Sequence, residues 1–279
     1  MQRTLPQSVL FNLRQTVERP LRWRKKHPSL RRYTWLATVL LLMVAWQGVV
    51  QFRLVESFLI PAPISVVERL IETITDGSLL RHTLTTLQAV VMGLLLGLSI
   101  GVGMGYLIAR SPLLEDLFAP IIVTLQATPV VAYAPLLVIW FGTGIESKVI
   151  TCTLIVFFPM LMNTVVGVRG VPQNLRDLMC VLRASWWQTL TRLELPAAMP
   201  VLLTGLKTSA TLAVIGAVVG EFVYAQAGLG FMITRARTQY DTPLVFVGIL
   251  ALALMASSLY LLASLLERHL LAWKQHTKV

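Results

Sequence analysis

Charged residues are scarce in this sequence. Only 13% of the 279 residues are Asp, Glu, Lys or Arg, and just 13 are acidic, whereas 56% are hydrophobic. A soluble domain usually carries roughly a quarter charged residues. Thirteen acids are too few to solvate the surface of a chain this long, so we predict that most of the chain lies in lipid and not in a water-soluble globule.

Residues for metal or redox chemistry are also few. The chain has 2 cysteines and 4 histidines. Cys152 falls inside an apolar run and Cys180 inside a basic loop, so we expect no disulfide between them. All four histidines fall outside the apolar runs, and no Cys/His cluster has metal-ligand spacing. We therefore expect no catalytic residues, no metal site and no cofactor site in this chain.

Long apolar runs are what the sequence does have. A run of about 20 apolar residues crosses the hydrocarbon core of a bilayer as a helix. We predict an all-α, polytopic membrane protein with about six transmembrane helices. In chain order, the six predicted spans are Tyr33–Phe52, Thr83–Ala109, Leu117–Phe141, Val149–Val168, Leu206–Ala227 and Leu244–Leu266.

The distribution of basic residues predicts the orientation. Nine of the 24 lysines and arginines precede Tyr33, and we interpret this leader as a juxtamembrane segment near anionic lipid, not as a nucleic-acid-binding arm or a cleaved signal peptide. With the N-terminus inside, 18 basic residues fall on the cytoplasmic side and 6 on the other. The positive-inside rule then predicts an N-in, C-in topology. The expected organisation is a basic cytoplasmic segment at 1–32, a transmembrane domain at 33–270 and a cytoplasmic tail at 271–279.

The connection between the first two predicted spans carries a helix signal. Ser65 and Glu68 have the spacing of a capping box that opens an amphipathic helix, and Gly77 is its expected end. Of two placements, a helix lying on the outer membrane interface and an ordinary helical elbow leading into the second span, we favour the elbow.

The cytoplasmic loop between the fourth and fifth predicted spans, at about 169–205, carries two further helix signals. Asn174–Asp177 and Ser185–Gln188 each resemble a helix start with a side-chain cap, and Pro196 is expected to end the second helix. We predict two short helices that meet near Arg183. A compact helical hairpin in an exposed loop indicates a docking surface.

Glycines recur in the second predicted span at a strict four-residue period, at Gly93, Gly97, Gly101 and Gly105. Such a strip lets another helix approach closely. Gly216 and Gly220 repeat the device in the fifth span. We interpret both strips as packing surfaces, not as binding sites.

The loop resembles the Glu-Ala-Ala loop of binding-protein-dependent ABC importer permeases. In that motif an acid and two small residues are followed at fixed spacing by a glycine and by Ile-x-Leu-Pro. Here Asp177 stands at the acid, Leu178-Met179 at the two alanines, Arg183 at the glycine and Leu193–Pro196 at the end. Because a glycine is usual there, Arg183 is expected to need a left-handed backbone conformation. The similarity extends over about residues 61–271, and it is greatest to the nitrate, sulfonate and taurine subgroup, whose relatives also carry riboflavin and thiamine-precursor pyrimidines.

The resemblance implies that the chain is the permease subunit of an ABC importer in a bacterial inner membrane. The implied partners are a second permease subunit in a homodimer or heterodimer, cytoplasmic ABC ATPase subunits and an extracytoplasmic solute-binding protein. It also implies a loop that couples ATP hydrolysis to transport. The expected coupling residues are Asp177, Arg183, Ala184, Ser185, Trp187, Leu193, Leu195 and Pro196. The sequence has no Gly-x-x-x-x-Gly-Lys-Ser/Thr motif, so ATP would be used by the partner.

Polar residues at membrane depth often line a pathway because they are costly there. Gln126 and Thr128 precede Pro129 in the third predicted span, Asn163 follows Pro159 in the fourth, and Glu221 is the acid placed deepest in any span. We take Gln126, Thr128, Pro129, Asn163 and Glu221 as candidate path residues. Glu221 has an alternative interpretation as a structural residue that ties the fifth span to its neighbours.

Two other classes of protein remain as alternatives. An ion-coupled secondary transporter would need several intramembrane ionisable groups or inverted repeats, and a membrane-bound enzyme would need a convergent set of catalytic side chains. The sequence shows neither feature.

Overall fold

The computed structural model describes residues 28–52, 56 and 59–272 of the chain. The described residues form two separate units, one ending at Phe52 and the other beginning after it. The first unit is helix α1, Pro28–Gln51, which covers most of the first predicted span. The leader before Pro28 and the tail after 272 lie outside the described residues, so the predictions made for them stay predictions.

The second unit is all-helical over its described residues. Its helices are α2 (Pro63–Thr75), α3 (Ser78–Arg110), α4 (Pro112–Ala127), α5 (Ala134–Phe141), α6 (Ile145–Arg169), α7 (Gln173–Val181), α8 (Trp186–Thr189), α9 (Leu195–Tyr224), α10 (Leu229–Thr238) and α11 (Thr242–Leu270). Four described helices are long and apolar enough to cross a membrane. They are α3, α6, the continuous helix Trp186–Val223 and α11. They cover the second, fourth, fifth and sixth predicted spans, so the multi-pass, all-α architecture is confirmed. The count of six and the topology stay predictions.

The third predicted span, Leu117–Phe141, is wrong as a single helix. Helix α4 ends at Ala127, a short 3-10 turn follows at Val130–Ala132, and α5 begins at Ala134. Thr128 has the extended backbone that the residue before a proline adopts, with φ −85° and ψ 127°. Pro129 itself offers no N–H to continue the ladder. The break therefore follows from the proline that the sequence analysis had placed inside one helix.

The core is built around α6, which packs between α3 and α9. A Cβ built on Gly97 of α3 would lie 2.7 Å from Cγ1 of Val156 in α6. On the other side of α6, a Cβ on Gly216 of α9 would lie 2.7 Å from Cα of Cys152. The helices approach so closely that only glycine fits at these contacts. The interpretation of both glycine strips as packing surfaces is confirmed.

Helix α2 begins earlier than the sequence predicted. It starts at Pro63, its N-cap is Ala62, and it has no side-chain cap, so the capping box predicted at Ser65 is wrong. Proline is favoured in the first helical turn because its missing N–H is not needed there, and this places Ser65 inside the helix. The predicted end at Gly77 is confirmed, since Gly77 follows the C-cap with φ 74°.

Candidate coupling site

The loop between α6 and α9 folds as a short helix, a tight turn and a second helical start. The turn has the hydrogen bonds of a Schellman motif: the N–H of Arg183 donates to the carbonyl of Cys180 at 3.0 Å, and the N–H of Ala184 donates to that of Met179 at 2.9 Å. Arg183 occupies the position where glycine is usual, with φ 51°. The expected left-handed conformation at Arg183 is confirmed.

The capping box at Ser185 is confirmed. The N–H of Gln188 donates to Oγ of Ser185 at 3.3 Å, and Oε1 of Gln188 accepts from the N–H of Ser185 at 2.8 Å. These two bonds satisfy backbone donors at the start of α8 and fix the direction in which it leaves the turn.

Two other helix signals in the loop are wrong. Helix α7 starts at Gln173 with Pro172 as its N-cap, and Oδ1 of Asn174 accepts only from the adjacent N–H of Leu175, so Asn174 is not a cap. Pro196 does not end the second helix. A π-helical turn at Leu190–Glu194 joins α8 to α9, and Pro196 lies in the first turn of α9. The backbone is helical on both sides of Pro196, so the helix Trp186–Val223 continues through it.

The predicted coupling residues are exposed or half-buried, and we call the exposed side chains of residues 177–187 the loop surface. Asp177, Arg183 and Trp187 are exposed, and Ala184 and Leu193 are half-buried. Large apolar side chains stand beside them in the loop: Leu178 is 51% exposed, Val181 79%, Leu182 66%, Trp186 56% and Trp187 62%. Exposed apolar patches mark protein–protein or membrane interaction sites. Leu195 is exposed and Pro196 half-buried at the start of α9.

Glu194 is a site residue that was not predicted from the sequence. Its side chain is fully buried at the base of the loop. Oε2 accepts a hydrogen bond from the hydroxyl of Tyr106 at 2.9 Å, and Oε1 lies 3.4 Å from Nη1 of Arg110 and 3.6 Å from Nη2 of Arg176. Nη2 of Arg176 also donates to the carbonyl of Val168 at 2.6 Å. This carboxylate therefore joins the end of α3, helix α7 and the start of α9. An acid between two leucines was the available signal in the sequence, but its partners lie far away along the chain.

A mostly apolar cavity of about 300 Å³ lies beside Glu194, under the loop. Its walls come from α3, α6, α8, the π-helical turn and α9, and they include Val102, Thr164, Trp186, Leu190 and Leu202. The rings of Tyr106 and Trp186 meet edge to face at its rim, with centroids 6.2 Å apart. The loop thus rests on the bundle through Glu194 and its aromatic neighbours, with open space next to them.

A second ion pair lies at the same end of the bundle without reaching α7 or α8. Arg169 of α6 donates to both carboxylate oxygens of Glu115 in α4, at 2.8 and 2.6 Å. These hydrogen bonds hold the pKa of Glu115 below its usual value. Both side chains are partly exposed, at 41% and 39%, so the pair contributes little to stability.

The candidate path residues lie on different elements. Gln126, Thr128 and Pro129 are together at the break between α4 and α5, and Gln126 and Pro129 are exposed. Asn163 is on α6, where its Nδ2 donates to the carbonyl of Pro159 at 2.8 Å. Whether these residues line a path stays a prediction.

Glu221 is fully buried three residues before the end of α9. Oε1 accepts from Oγ1 of Thr86 in α3 at 2.8 Å, and Oε2 accepts from the N–H of Gly230 in α10 at 2.7 Å. These contacts are those expected from a structural residue that ties α9 to its neighbours.

Residues 93–272 match the family described as the binding-protein-dependent transport system inner membrane component. The riboflavin transport system permease protein RibX of Chloroflexus aurantiacus is 44% identical over 88% of this chain and 94% of its own length. The putative aliphatic sulfonates transport permease protein SsuC of Bacillus subtilis is 34% identical over 90% of this chain and 92% of its own.

A solved structure shares the fold. It is described as an inward-facing conformation of the MetNI methionine ABC transporter, and it matches with a TM-score of 0.56 and 18% sequence identity. The match covers 68% of this chain and 93% of the other chain.

Proposed function

Because this chain belongs to the family of binding-protein-dependent transport system inner membrane components and is a permease of an ABC importer, we propose that its loop surface docks on a partner ATPase at the cytoplasmic face of a bacterial inner membrane. The ATPase hydrolyses ATP, and the permease converts the resulting movement into passage of a solute. An extracytoplasmic solute-binding protein delivers the solute, and a second permease subunit completes the pathway.

The observation that carries this proposal is an apolar surface presented on a stiff support. Val181 and Leu182 are 79% and 66% exposed at the tip of the loop, between Asp177 and Trp187. Exposed apolar side chains gain free energy when a partner covers them. The Schellman turn, the capping box and the buried Glu194 fix the backbone beneath them. A rigid support transmits a displacement that a flexible tether would absorb.

For the solute, we propose riboflavin as the first compound to test. The riboflavin permease RibX is 44% identical to this chain, against 34% for the sulfonate permease SsuC. The buried position of Glu221 leaves its carboxylate hydrogen-bonded within the bundle, so this acid does not by itself decide between a neutral and an anionic solute. Uptake of radiolabelled riboflavin into vesicles that hold the assembled importer is the measurement. If an aliphatic sulfonate, taurine or nitrate is taken up instead, the proposal of riboflavin as the solute is wrong and the permease role stands.

Docking of the loop surface is tested with a double variant, Asp177→Lys with Arg183→Glu. Both side chains are exposed, so the variant should still fold and insert. Truncating a charged contact in an interface costs about 2 kcal/mol or more, which corresponds to a roughly 30-fold weaker complex. We expect the ATPase to co-purify poorly and uptake to fall.

The matched control is Gln239→Lys, which changes the charge of an exposed residue at the end of α10, away from the loop. It should leave both co-purification and uptake unchanged. Full ATPase binding and full uptake in the double variant would remove the loop surface from the mechanism.

A further inference from the structure

We propose that Glu194 is a positioning residue of the coupling loop, whose buried carboxylate makes α7 and the end of α3 move together with the start of α9. This inference rests on the proposed docking of the loop surface on an ATPase. Glu194 does not touch the partner itself, since it is fully buried under the loop.

The first support is the division of the two carboxylate oxygens between elements. Oε2 accepts a hydrogen bond from the hydroxyl of Tyr106 in α3. Oε1 faces Arg110 from the same helix end and Arg176 from α7. Since Arg176 also donates to the carbonyl of Val168, the last turn of α6 belongs to the same network. One side chain thus connects every element that enters or leaves the loop at its base.

The second support is the charge. A buried carboxylate is costly unless cationic partners stay close to it. The side chains of Arg110 and Arg176 are 33% and 20% exposed, so they can reach water, whereas Glu194 cannot. Any displacement of the loop that kept Glu194 buried would therefore have to carry both arginines with it. A neutral glutamine would keep the volume, but it would leave Arg110 and Arg176 without the negative charge that they face.

The third support is the cavity of about 300 Å³ beside the carboxylate. Trp186 and Leu190 of the loop line it directly. Without the fixed attachment at Glu194, the side chains of Trp186 and Leu190 could move into this cavity when the ATPase presses on the loop surface. The push would then be absorbed locally and would not reach α3 and α6.

The test uses the full importer, assembled from this chain, its ATPase and its solute-binding protein in vesicles. The variants are Glu194→Gln, Glu194→Asp and Tyr106→Phe, with Glu115→Gln as the matched control. Glu115 pairs with Arg169 of α6 at the same end of the bundle, and neither of these hydrogen bonds involves α7 or α8. Three quantities are measured: ATPase retained on purification, ATP hydrolysis without the binding protein, and the increase in hydrolysis when the binding protein is added.

We expect Glu194→Gln to retain the ATPase and its unstimulated hydrolysis, while the stimulation by binding protein falls about tenfold, a change within the range typical of coupling between two sites. The reason is that the negative charge that faces Arg110 and Arg176 is lost. Glu194→Asp, which keeps the charge, should recover part of the stimulation. Glu115→Gln should behave as the unmodified chain. Tyr106→Phe removes one hydroxyl and should lower stimulation by a smaller factor, and it carries the test alone if Glu194→Gln does not assemble.

Three results would overturn the inference. One is normal stimulation in Glu194→Gln, or in Tyr106→Phe where only that variant assembles. Another is an equal loss in Glu115→Gln, and the third is a loss that merely follows the amount of folded complex in a thermal melt. If the unmodified chain neither retains an ATPase nor responds to the binding protein, the proposed function itself fails, and that outcome is visible before any variant is compared.

Discussion

Replacing Gly97 by alanine tests the packing of α3 on α6, which supports the whole bundle. The added Cβ would lie 2.7 Å from Cγ1 and 2.8 Å from Cβ of Val156, and 3.0 Å from the carbonyl oxygen of Thr153. Ordinary carbon–carbon contacts lie at about 3.5–4.0 Å, so the two helices must move apart. Overpacking of a close-packed core typically costs about 1–3 kcal/mol.

The same helix supplies the control. A Cβ added at Gly103 would meet nothing within 4 Å, and alanine is better than glycine inside a helix by roughly 0.5–1 kcal/mol. Both variants gain this propensity, so the difference between them isolates the packing cost. We expect Gly97→Ala to unfold at a lower SDS fraction than Gly103→Ala in mixed micelles, with free energies of unfolding that differ by about 1–3 kcal/mol. Equal unfolding curves would refute the close helix contact.

Two further predictions concern the loop and its side of the membrane. Arg183→Gly should relieve the left-handed strain and stabilise the folded chain by about 1 kcal/mol in an unfolding titration, while weakening ATPase co-purification because the guanidinium is lost. Tyr240→Gly, at the other left-handed residue (φ 58°), should stabilise without affecting the ATPase, and no gain in either variant would contradict the strain argument. The exposed Cys180 should react with a membrane-impermeant maleimide only after cells are permeabilised, whereas Gln239→Cys in a Cys180→Ser chain should react in intact cells. The reverse pattern would contradict the N-in, C-in topology. Cys152 is buried and should not react with the maleimide.

Local chemistry was predictable from the sequence where it depends on neighbouring residues. The four-residue glycine period fixes one helix face without knowledge of the partner helix, and the capping box at Ser185 needs only Gln188. The left-handed Arg183 followed from its place in a motif that usually has glycine there. Each of these features depends on a few residues of chain.

Prolines were less informative because proline is common both in the first turn of a helix and just after a helix end. Pro63 and Pro196 each lie in the first turn of a helix, although a proline can equally follow a helix end. Pro129 interrupts the third predicted span, which was expected to be one helix. The Glu194 network could not be predicted, since Tyr106 and Glu194 are 88 positions apart and the sequence does not say which residues of two packed helices face each other.

Two buried carboxylates attach the helix Trp186–Val223 to α3 at both of its ends. Glu194 accepts from Tyr106 at the loop end, and Glu221 accepts from Thr86 at the other. They are 27 positions apart in the sequence, which is about 40 Å along a helix axis. That length matches a bilayer with its headgroup layers, about 40–45 Å. We therefore expect both acids to lie near the two membrane surfaces and not at the apolar centre, where a carboxylate costs most.

This pair of attachments indicates which helices move as one body. The helix Trp186–Val223 and α3 are held together at both ends, and glycine contacts pack each of them against α6 along its length. Three helices joined in this way have little freedom to shift relative to one another, so we expect a force on the loop surface to displace them as a unit. The helical backbone is interrupted instead between α4 and α5, where Thr128 and Pro129 do not continue the helical hydrogen bonds. We therefore expect the break at Thr128–Pro129 to be the place where the bundle changes shape when the rigid three-helix body moves.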